Sequence, residues 1–341
     1  MMDLTQGWRC PQCGGELTQS GQYVLCSQHD KVAQAQGNLL VFGTQARPAQ
    51  DLPPEEMAAL CERAETAGWP AAMAELAERQ PQVHEQVTDR RQANWLYAYP
   101  GPAGGQALEV DAAWGVVSQA LADLFGSVYA LAGTPEQACL LAARFAASAG
   151  KVKVAVAVFP QAPVARASLA LVVMNGVLPG LAWERPERRP AQAHLACLRR
   201  AHELLRPGGW LYLAGENRCG YPAGADGLRL LPRGLADRVC RRGGEAAGNR
   251  GRTYSYWGYR RLLRQAGFAR LLSYLPLPRW QAPEAMVPLW RAEPLDHHLT
   301  AFASLGGKAA WVRRVPLAPL RLAAVRLLAA HFGIFAQKGE G

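Results

Sequence analysis

Four residues near the start of the chain have the types and spacing of a metal site. Cys10 and Cys13 are two residues apart, Cys26 and His29 are two residues apart, and twelve residues separate the pairs. Each short pair can present two soft ligands from one tight turn, and two such turns complete a tetrahedron around zinc. Four protein ligands leave no coordination position open, so the expected role of Zn2+ here is structural. The segments Gly15–Leu17 and Tyr23–Leu25 read as short strands, which predicts a zinc ribbon over residues 1–44, too small to hold a core unaided. The alternative is two coincidental cysteine pairs. Cys61, Cys139, Cys197, Cys219 and Cys240 show no ligand spacing and are expected to be buried or incidental thiols.

The second concentration of chemistry lies between Gln106 and Ala146. Ala107–Val110 is a short apolar run containing Glu109, followed by Asp111-Ala-Ala-Trp-Gly115 and a helical stretch over 116–125. A second apolar run, 127–131, leads into Ala132-Gly-Thr-Pro-Glu136 and another helix. Strand, tight loop, helix, strand, helix is the unit of a parallel sheet that binds ligands at the carboxyl ends of its strands. The alternation continues with strands over 152–159 and 168–174, a helix over 191–205 stopped by Pro207-Gly-Gly209, and a strand over 210–215. A helix over 255–266 ending at Gly267, a strand over 271–275, and a closing helix and strand, 317–330 and 332–336, complete it. Between ribbon and sheet, residues 45–54 read as a Pro/Gln/Ala linker, and helices over 55–78 and 81–96 as a cap on the sheet's edge or mouth. The expected organisation is a ribbon at 1–44, a linker and helical cap at 45–100, and an α/β domain at 101–341.

This order of elements resembles a class I S-adenosylmethionine-dependent methyltransferase. The loop from Glu109 to Gly115 matches in position the family's Glu/Asp-x-Gly-x-Gly-x-Gly, Leu204-Leu-Arg-Pro-Gly-Gly-Trp-Leu-Tyr-Leu213 is similar to its passage into the fifth strand, and Gln265-Ala-Gly-Phe268 to the segment before its late antiparallel hairpin. Glu216-Asn-Arg-Cys-Gly-Tyr221 and Thr253-Tyr-Ser-Tyr-Trp-Gly-Tyr259 resemble a bacterial subgroup of surface-polysaccharide and secondary-metabolite pathways. The ribbon is similar to that of ribosomal-RNA guanine methyltransferases. The resemblance covers about residues 106 to 275 and implies a Rossmann-like, doubly wound, mostly parallel seven-stranded sheet, with S-adenosylmethionine held by Glu109, Asp111, Ala113, Gly115, Ala132, Gly133 and Val158.

Several of those positions depart from the family's pattern. Asp111 and Ala113 stand where it has the first two loop glycines, which let the backbone approach the cofactor closely. Ala132 stands where an acidic side chain would accept both ribose hydroxyls, Val158 where an Asp faces adenine, and Leu169-Ala170 where Phe-Asp is common. Charge-assisted hydrogen bonds contribute roughly 1.5 to 3 kcal/mol each, so losing two at the ribose predicts cofactor binding weaker by two or more orders of magnitude. Three functions stay open: a methyltransferase acting on a small-molecule, phosphorylated or carbohydrate-linked acceptor; a catalytically inactive descendant that binds or scaffolds; and an RNA methyltransferase.

For an active site, Asn175 and Glu216 are the expected catalytic residues, with Glu216 a candidate base, and Asn217, Arg218, Tyr254 and Tyr259 the expected substrate contacts. The ordinary alternatives are a satisfied polar turn and a packed aromatic core. His202 is expected to be structural, and His297-His298 lacks a partner at ligand spacing.

Composition bounds these readings. Half of the 341 residues are hydrophobic and 19% are charged, which excludes a disordered chain. The net charge of +10 is unevenly placed. Residues up to Glu184 carry 11 Lys and Arg against 17 Asp and Glu, and those beyond carry 26 against 10. The excess, including Arg238, Arg241, Arg242, Arg250, Arg252, Arg260, Arg261 and Arg264, would suit a phosphate-bearing partner or be a solvated face. Met1–Trp8 has no basic start before an apolar core, and the apolar stretch 317–335 is broken by Arg321, Arg326 and His331. The expectation is a cytoplasmic protein with no transmembrane segment and reduced thiols.

Overall fold

The computed structural model describes residues 4–44, 52–148, 150–182, 189–219, 252–303 and 318–340. Most of the predicted linker and the arginines from Arg238 to Arg250 lie outside these residues.

The ribbon is a four-stranded antiparallel meander: β1 (Leu17–Ser20), β2 (Tyr23–Cys26), β3 (Asp30–Gln36) and β4 (Leu39–Val41). The cap follows as α1 (Pro54–Ala67), α2 (Trp69–Arg79) and α3 (Pro81–Thr88), then a 3-10 segment, Arg90–Ala98. The helix expected over 55–78 is broken at Gly68, whose φ of 85° lies in the left-handed region that glycine enters without steric cost. Proline opens all three cap helices in their first turn, where a missing N–H costs nothing.

The α/β domain runs β5 (Gln106–Glu109), α4 (Val116–Leu124), β6 (Ser127–Ala132), α5 (Pro135–Arg144), β7 (Val152–Val156), β8 (Leu169–Asn175), α6 (Pro190–Leu204), β9 (Leu205–Glu216), α7 (Tyr256–Gln265), β10 (Phe268–Leu277), β11 (Ala285–Pro288), α8 (Ala292–Ala303), α9 (Ala318–Leu328) and β12 (His331–Lys338). The strand order across the sheet is β1-β2-β3-β4-β7-β6-β5-β8-β9-β12-β10-β11. The central run β7-β6-β5-β8-β9 is parallel throughout. Numbered within the domain, these strands read 3-2-1-4-5, the doubly wound order, and they reverse direction of travel between β5 and β8. β12 then inserts antiparallel between β9 and β10. The fold is therefore Rossmann-like, with an antiparallel strand inserted beside the fifth parallel one.

The expected seven-stranded sheet with a separate ribbon needs correction, because the sheet has twelve strands, mixed in direction. β4 pairs in parallel with β7, Leu40 opposite Ala155 and Val41 opposite Val156, so the ribbon continues the sheet. The physical reason is that β7 would otherwise be an edge strand with unpaired amides and carbonyls. β11, absent from the sequence reading, extends the opposite edge by one short strand.

Alternation along the strands supplies two cores. Leu108, Val110, Val172 and Met174 face the ribbon, α6 and α7, whereas Ala107, Leu171, Val173, Tyr212 and Ala214 face α4, α5 and the 3-10 segment. Trp95 stacks on Tyr212 at 3.9 Å, anchoring the 3-10 segment to that second face. α1 and α2 form a third cluster that reaches the domain chiefly through Trp114 and Leu140.

Candidate functional site

The ribbon brings Cys10, Cys13, Cys26 and His29 together as the spacing predicted. Their ligand atoms all lie within 4.8 Å of one another. Cys13 and Cys26 sulfurs are 3.5 Å apart, and His29 Nδ1 lies 3.7 Å from Cys10 Sγ and 3.8 Å from Cys26 Sγ. A tetrahedron with bonds of about 2.3 Å has edges of roughly 3.8 Å, so this donor set fits a zinc-sized ion. The Gln28 amide, 3.5 Å from Cys26 Sγ, and the adjacent His29 lower that thiol to about 6, which favours the ligating thiolate. The cysteine turn also holds the domain: the Arg9 amide donates to Pro163 O, Gly7 O accepts from Tyr129 Oη, and Trp8 packs edge-on against Tyr129 at 5.0 Å.

The second candidate lies at the reversal point, at the carboxyl ends of β5 and β8. Glu109 sits opposite Val173 and Asn175 opposite Ala214, so the pleat puts Glu109, Asn175 and Glu216 toward the α4/α5 face, with Asp111 in the loop two residues past Glu109. The loop after β5 adopts left-handed φ at three alternate residues: Asp111 at 57°, Ala113 at 43° and Gly115 at 79°. Left-handed geometry costs a non-glycine residue roughly 1–2 kcal/mol, so Asp111 and Ala113 hold a glycine-type conformation at a cost. At Gly115 the need is steric as well, since a Cβ there would meet Leu141 Cδ2 at 2.7 Å and Phe145 Cε2 at 2.9 Å. Arg144 of α5 donates to Trp114 O and fixes the loop's outer side.

Glu109 is buried and its Oε2 accepts from Ser118 Oγ. Burial pushes its carboxyl up to about 8, against the pull of the Ser118 hydroxyl and with a further push from Asp111. Glu109 thus supports the loop as a neutral acid over much of the physiological range. At the end of β6, Ala132 is 1% exposed, and the amide of Gly133 donates to Gln137 Oε1 at 3.2 Å. The nearest carboxylate in sequence is Glu136, in the first turn of α5, and the Gly133 amide is engaged. Neither Ala132 nor Gly133 carries a side-chain acceptor for a ribose diol. Val158 is half-buried after β7.

Asn175 ends β8 with its Oδ1 buried and lacking a hydrogen-bond partner. The Trp280 ring, from the turn after β10, fills the space that a Cβ on Gly176 would need. That turn is tied to the cap: Arg279 to Asp89 at 3.9 Å, Arg91 to Glu284 at 3.4 Å, and Asn94 Nδ2 to Pro283 O at 2.9 Å. Trp280 is the residue at this site that sequence reasoning missed, and only a chain-distant turn brings it there.

The other expected contacts support the fold. Asn217 is buried, donates to Leu327 O and Ala329 O, and accepts from the Cys219 amide. Tyr254 Oη pairs with His194 Nδ1 at 2.9 Å, and Tyr259 Oη donates to Glu216 O at 3.1 Å. Arg218 donates its amide to Tyr254 O, and Glu216 is exposed at the strand end. Arg260 donates to Ser273 Oγ and Arg264 to Phe268 O, so these two members of the basic series brace β10. The expectation of reduced, incidental thiols fails at Cys61 and Cys139, which form a disulfide, because α1 packs directly on α5 and brings their Cα atoms to 6.0 Å.

No family model matches the chain, and no curated protein matches it. Among solved structures it is similar to phosphoethanolamine N-methyltransferase 2 of Haemonchus contortus, at a TM-score of 0.46 and 13% identity, covering 81% of this chain and 61% of that one. This chain therefore spans less than two thirds of that protein's length. An S-adenosylmethionine-dependent methyltransferase of Thermotoga maritima matches at 0.43 and 14% identity, over 78% of this chain and 99% of that one. The [4+2]-cyclase SpnF matches at 0.42 and 15%, over 88% and 99%. The fold assignment rests on the strand order given above, and likenesses this distant add nothing to it.

Proposed function

We propose that this protein is a methyltransferase-like binding module: a class I methyltransferase-type domain that takes a small ligand at the reversal point between β5 and β8 and does not use S-adenosylmethionine efficiently. The observation that carries this reading is the combination at one strand edge of a loop kept in its glycine-type shape at Asp111, Ala113 and Gly115 with a β6 end, Ala132-Gly133, that offers no acceptor for a ribose. Asp111, the loop amides and Asn175 are the groups that would contact the ligand. Asn175 Oδ1, buried and unpartnered, calls for a donor on that ligand, since an unmet buried acceptor costs about 1–3 kcal/mol. Glu109 has the role of holding the loop.

A second reading, an S-adenosylmethionine-dependent methyltransferase with a small or carbohydrate-linked acceptor, is favoured by the retained loop shape. Glu216 would then be the base and Arg218 the anion contact. Calorimetric titration with S-adenosylmethionine and S-adenosylhomocysteine separates the two. The binding-module reading expects no saturable heat at micromolar ligand, and a micromolar dissociation constant for either compound would overturn it in favour of the enzyme.

The four-ligand cluster supports a structural zinc held by Cys10, Cys13, Cys26 and His29, whose chemistry is to fix the two ribbon turns. Metal analysis should find about one zinc per chain at that site. Zinc retained after Cys10→Ser with Cys13→Ser would refute the assignment.

A further inference from the structure

The disulfide lies where the cap meets the part of the domain that supports the reversal-point loop. Cys61 is on α1 and Cys139 on α5, 78 positions apart in sequence. α5 starts directly after Ala132-Gly133-Thr134, with Thr134 Oγ1 accepting from the Gln137 amide as its N-cap. Two residues past Cys139, Leu141 fills the space under Gly115, and Arg144 on the same helix holds Trp114 O. Trp114 in turn packs among Met57, Leu60 and Ala64 of α1 and Met73 and Leu76 of α2. The cap thus meets the loop through one small apolar cluster and one covalent bond, and both run through α5. Arg144 over the Trp69 ring, at 5.1 Å, is the remaining tie on this side.

We propose that Cys61–Cys139 is a thiol–disulfide site whose oxidation state sets how firmly the helical cap is held over the Asp111–Gly115 loop. In the oxidised form the bond removes the freedom of α1 to lift from α5. Reduction by a dithiol transfers two electrons and two protons to the pair, breaks the sulfur–sulfur bond, yields two free thiols and leaves the reductant as its own disulfide. α1 and α2 are then held on α5 by the Trp114 cluster and the Arg144–Trp69 contact without a covalent bond, and local opening there becomes easier. The proposal does not depend on which ligand the loop binds, so it stands or falls separately from the reading above.

The test uses the full-length, metal-loaded protein. Alkylation with iodoacetamide under denaturing conditions, without reductant, should leave Cys61 and Cys139 unmodified and their peptides linked. Hydrogen exchange is then followed with and without dithiothreitol. Reduction should speed exchange of the amides in α1 and in residues 111–115 by about tenfold while leaving β2 and β3 unchanged. The double variant Cys61→Ser with Cys139→Ser, without reductant, should exchange like the reduced protein, and dithiothreitol should not change it further. Alkylation of both cysteines in the unreduced protein would overturn the proposal, as would exchange at 111–115 that ignores reduction. A second metal equivalent per chain, lost in the double variant, would overturn it in favour of metal binding by Cys61, Glu65 and Cys139, whose ligand atoms also lie within 4.8 Å of one another.

Discussion

The ribbon and the reversal-point edge hold their candidate ligands by different means. In the ribbon the chemistry is carried by side chains: three sulfurs and one imidazole nitrogen converge, and the short antiparallel strands serve to deliver them. At the carboxyl ends of β5 and β8 the shape is carried by the backbone, and the side chains have changed around it. Asp111 and Ala113 keep left-handed φ although neither is glycine. A metal site fails when one donor is replaced, whereas a backbone cradle can persist through substitutions that alter what it accepts. The two regions thus differ in what a substitution would do: in the ribbon it removes a donor, and at the loop it changes what a preserved backbone shape can accept.

Removing the ribbon's donors should break the comparison most strongly. Structural zinc contributes roughly 10–16 kcal/mol to small zinc domains, so Cys10→Ser with Cys13→Ser, or chelation, should unfold the ribbon, read as loss of amide protection in β2 and β3. At the reversal point, protonation of Glu109 is the largest lever. Its folded value of about 8 lies above the ordinary carboxylate value of 4.5, so the folded state binds the extra proton between those limits. Stability linked to Glu109 is therefore full below about pH 4.5 and falls as pH rises to about 8. Glu109→Gln should flatten that fall, leaving the variant more stable than the native chain by up to a few kcal/mol at pH 8 to 9, measured by urea denaturation across pH.

Gly115→Ala combines left-handed strain with overlap against Leu141 and Phe145, and should cost about 2–4 kcal/mol by the same assay. Ala113→Gly is the smallest and most diagnostic change. Relief of left-handed strain of roughly 1–2 kcal/mol is offset by about 0.5–1 kcal/mol of added backbone entropy, so a gain of up to about 1.5 kcal/mol is expected. A loss at Ala113→Gly, or an indifferent Gly115→Ala, would mean that the backbone is not what defines this site.

The contrast also marks what could be read from the sequence. The metal ligands were legible because two short spacings in one local segment suffice to bring them together. β5 to β9 were legible because apolar runs alternated with helical ones, and the loop was located by its position between them. That Asp111 and Ala113 keep left-handed conformations was not legible, because their residue types argue against it. Trp280 reaches Gly176 from the turn after β10, Cys61 reaches Cys139 across 78 positions, and β4 joins β7 across more than a hundred residues; no local pattern encodes any of these. The aromatics Tyr254 and Tyr259 and the amide of Asn217 looked like pocket residues because they cluster at a strand end. Their hydrogen bonds run to His194 of α6, to Glu216 O at the end of β9, and to Leu327 O and Ala329 O around the end of α9.

The parallel pairing of β4 with β7 gives the ribbon a role apart from its Cys/His cluster. The opposite rim of the sheet ends on β11, a four-residue strand closing at Pro288, which offers little for another chain to copy. The ribbon's own outer strand, β1, is equally short. Between these two blunt rims, β7 is Val152-Lys-Val-Ala-Val156, and β4 pairs with its last two residues, Ala155 and Val156. The ribbon therefore covers the carboxyl end of an edge that could otherwise pair with another chain. A chain beginning at residue 52 would present β7 as a template to its own copies and should elute from a sizing column as concentration-dependent assemblies, whereas the whole chain keeps that surface satisfied from within.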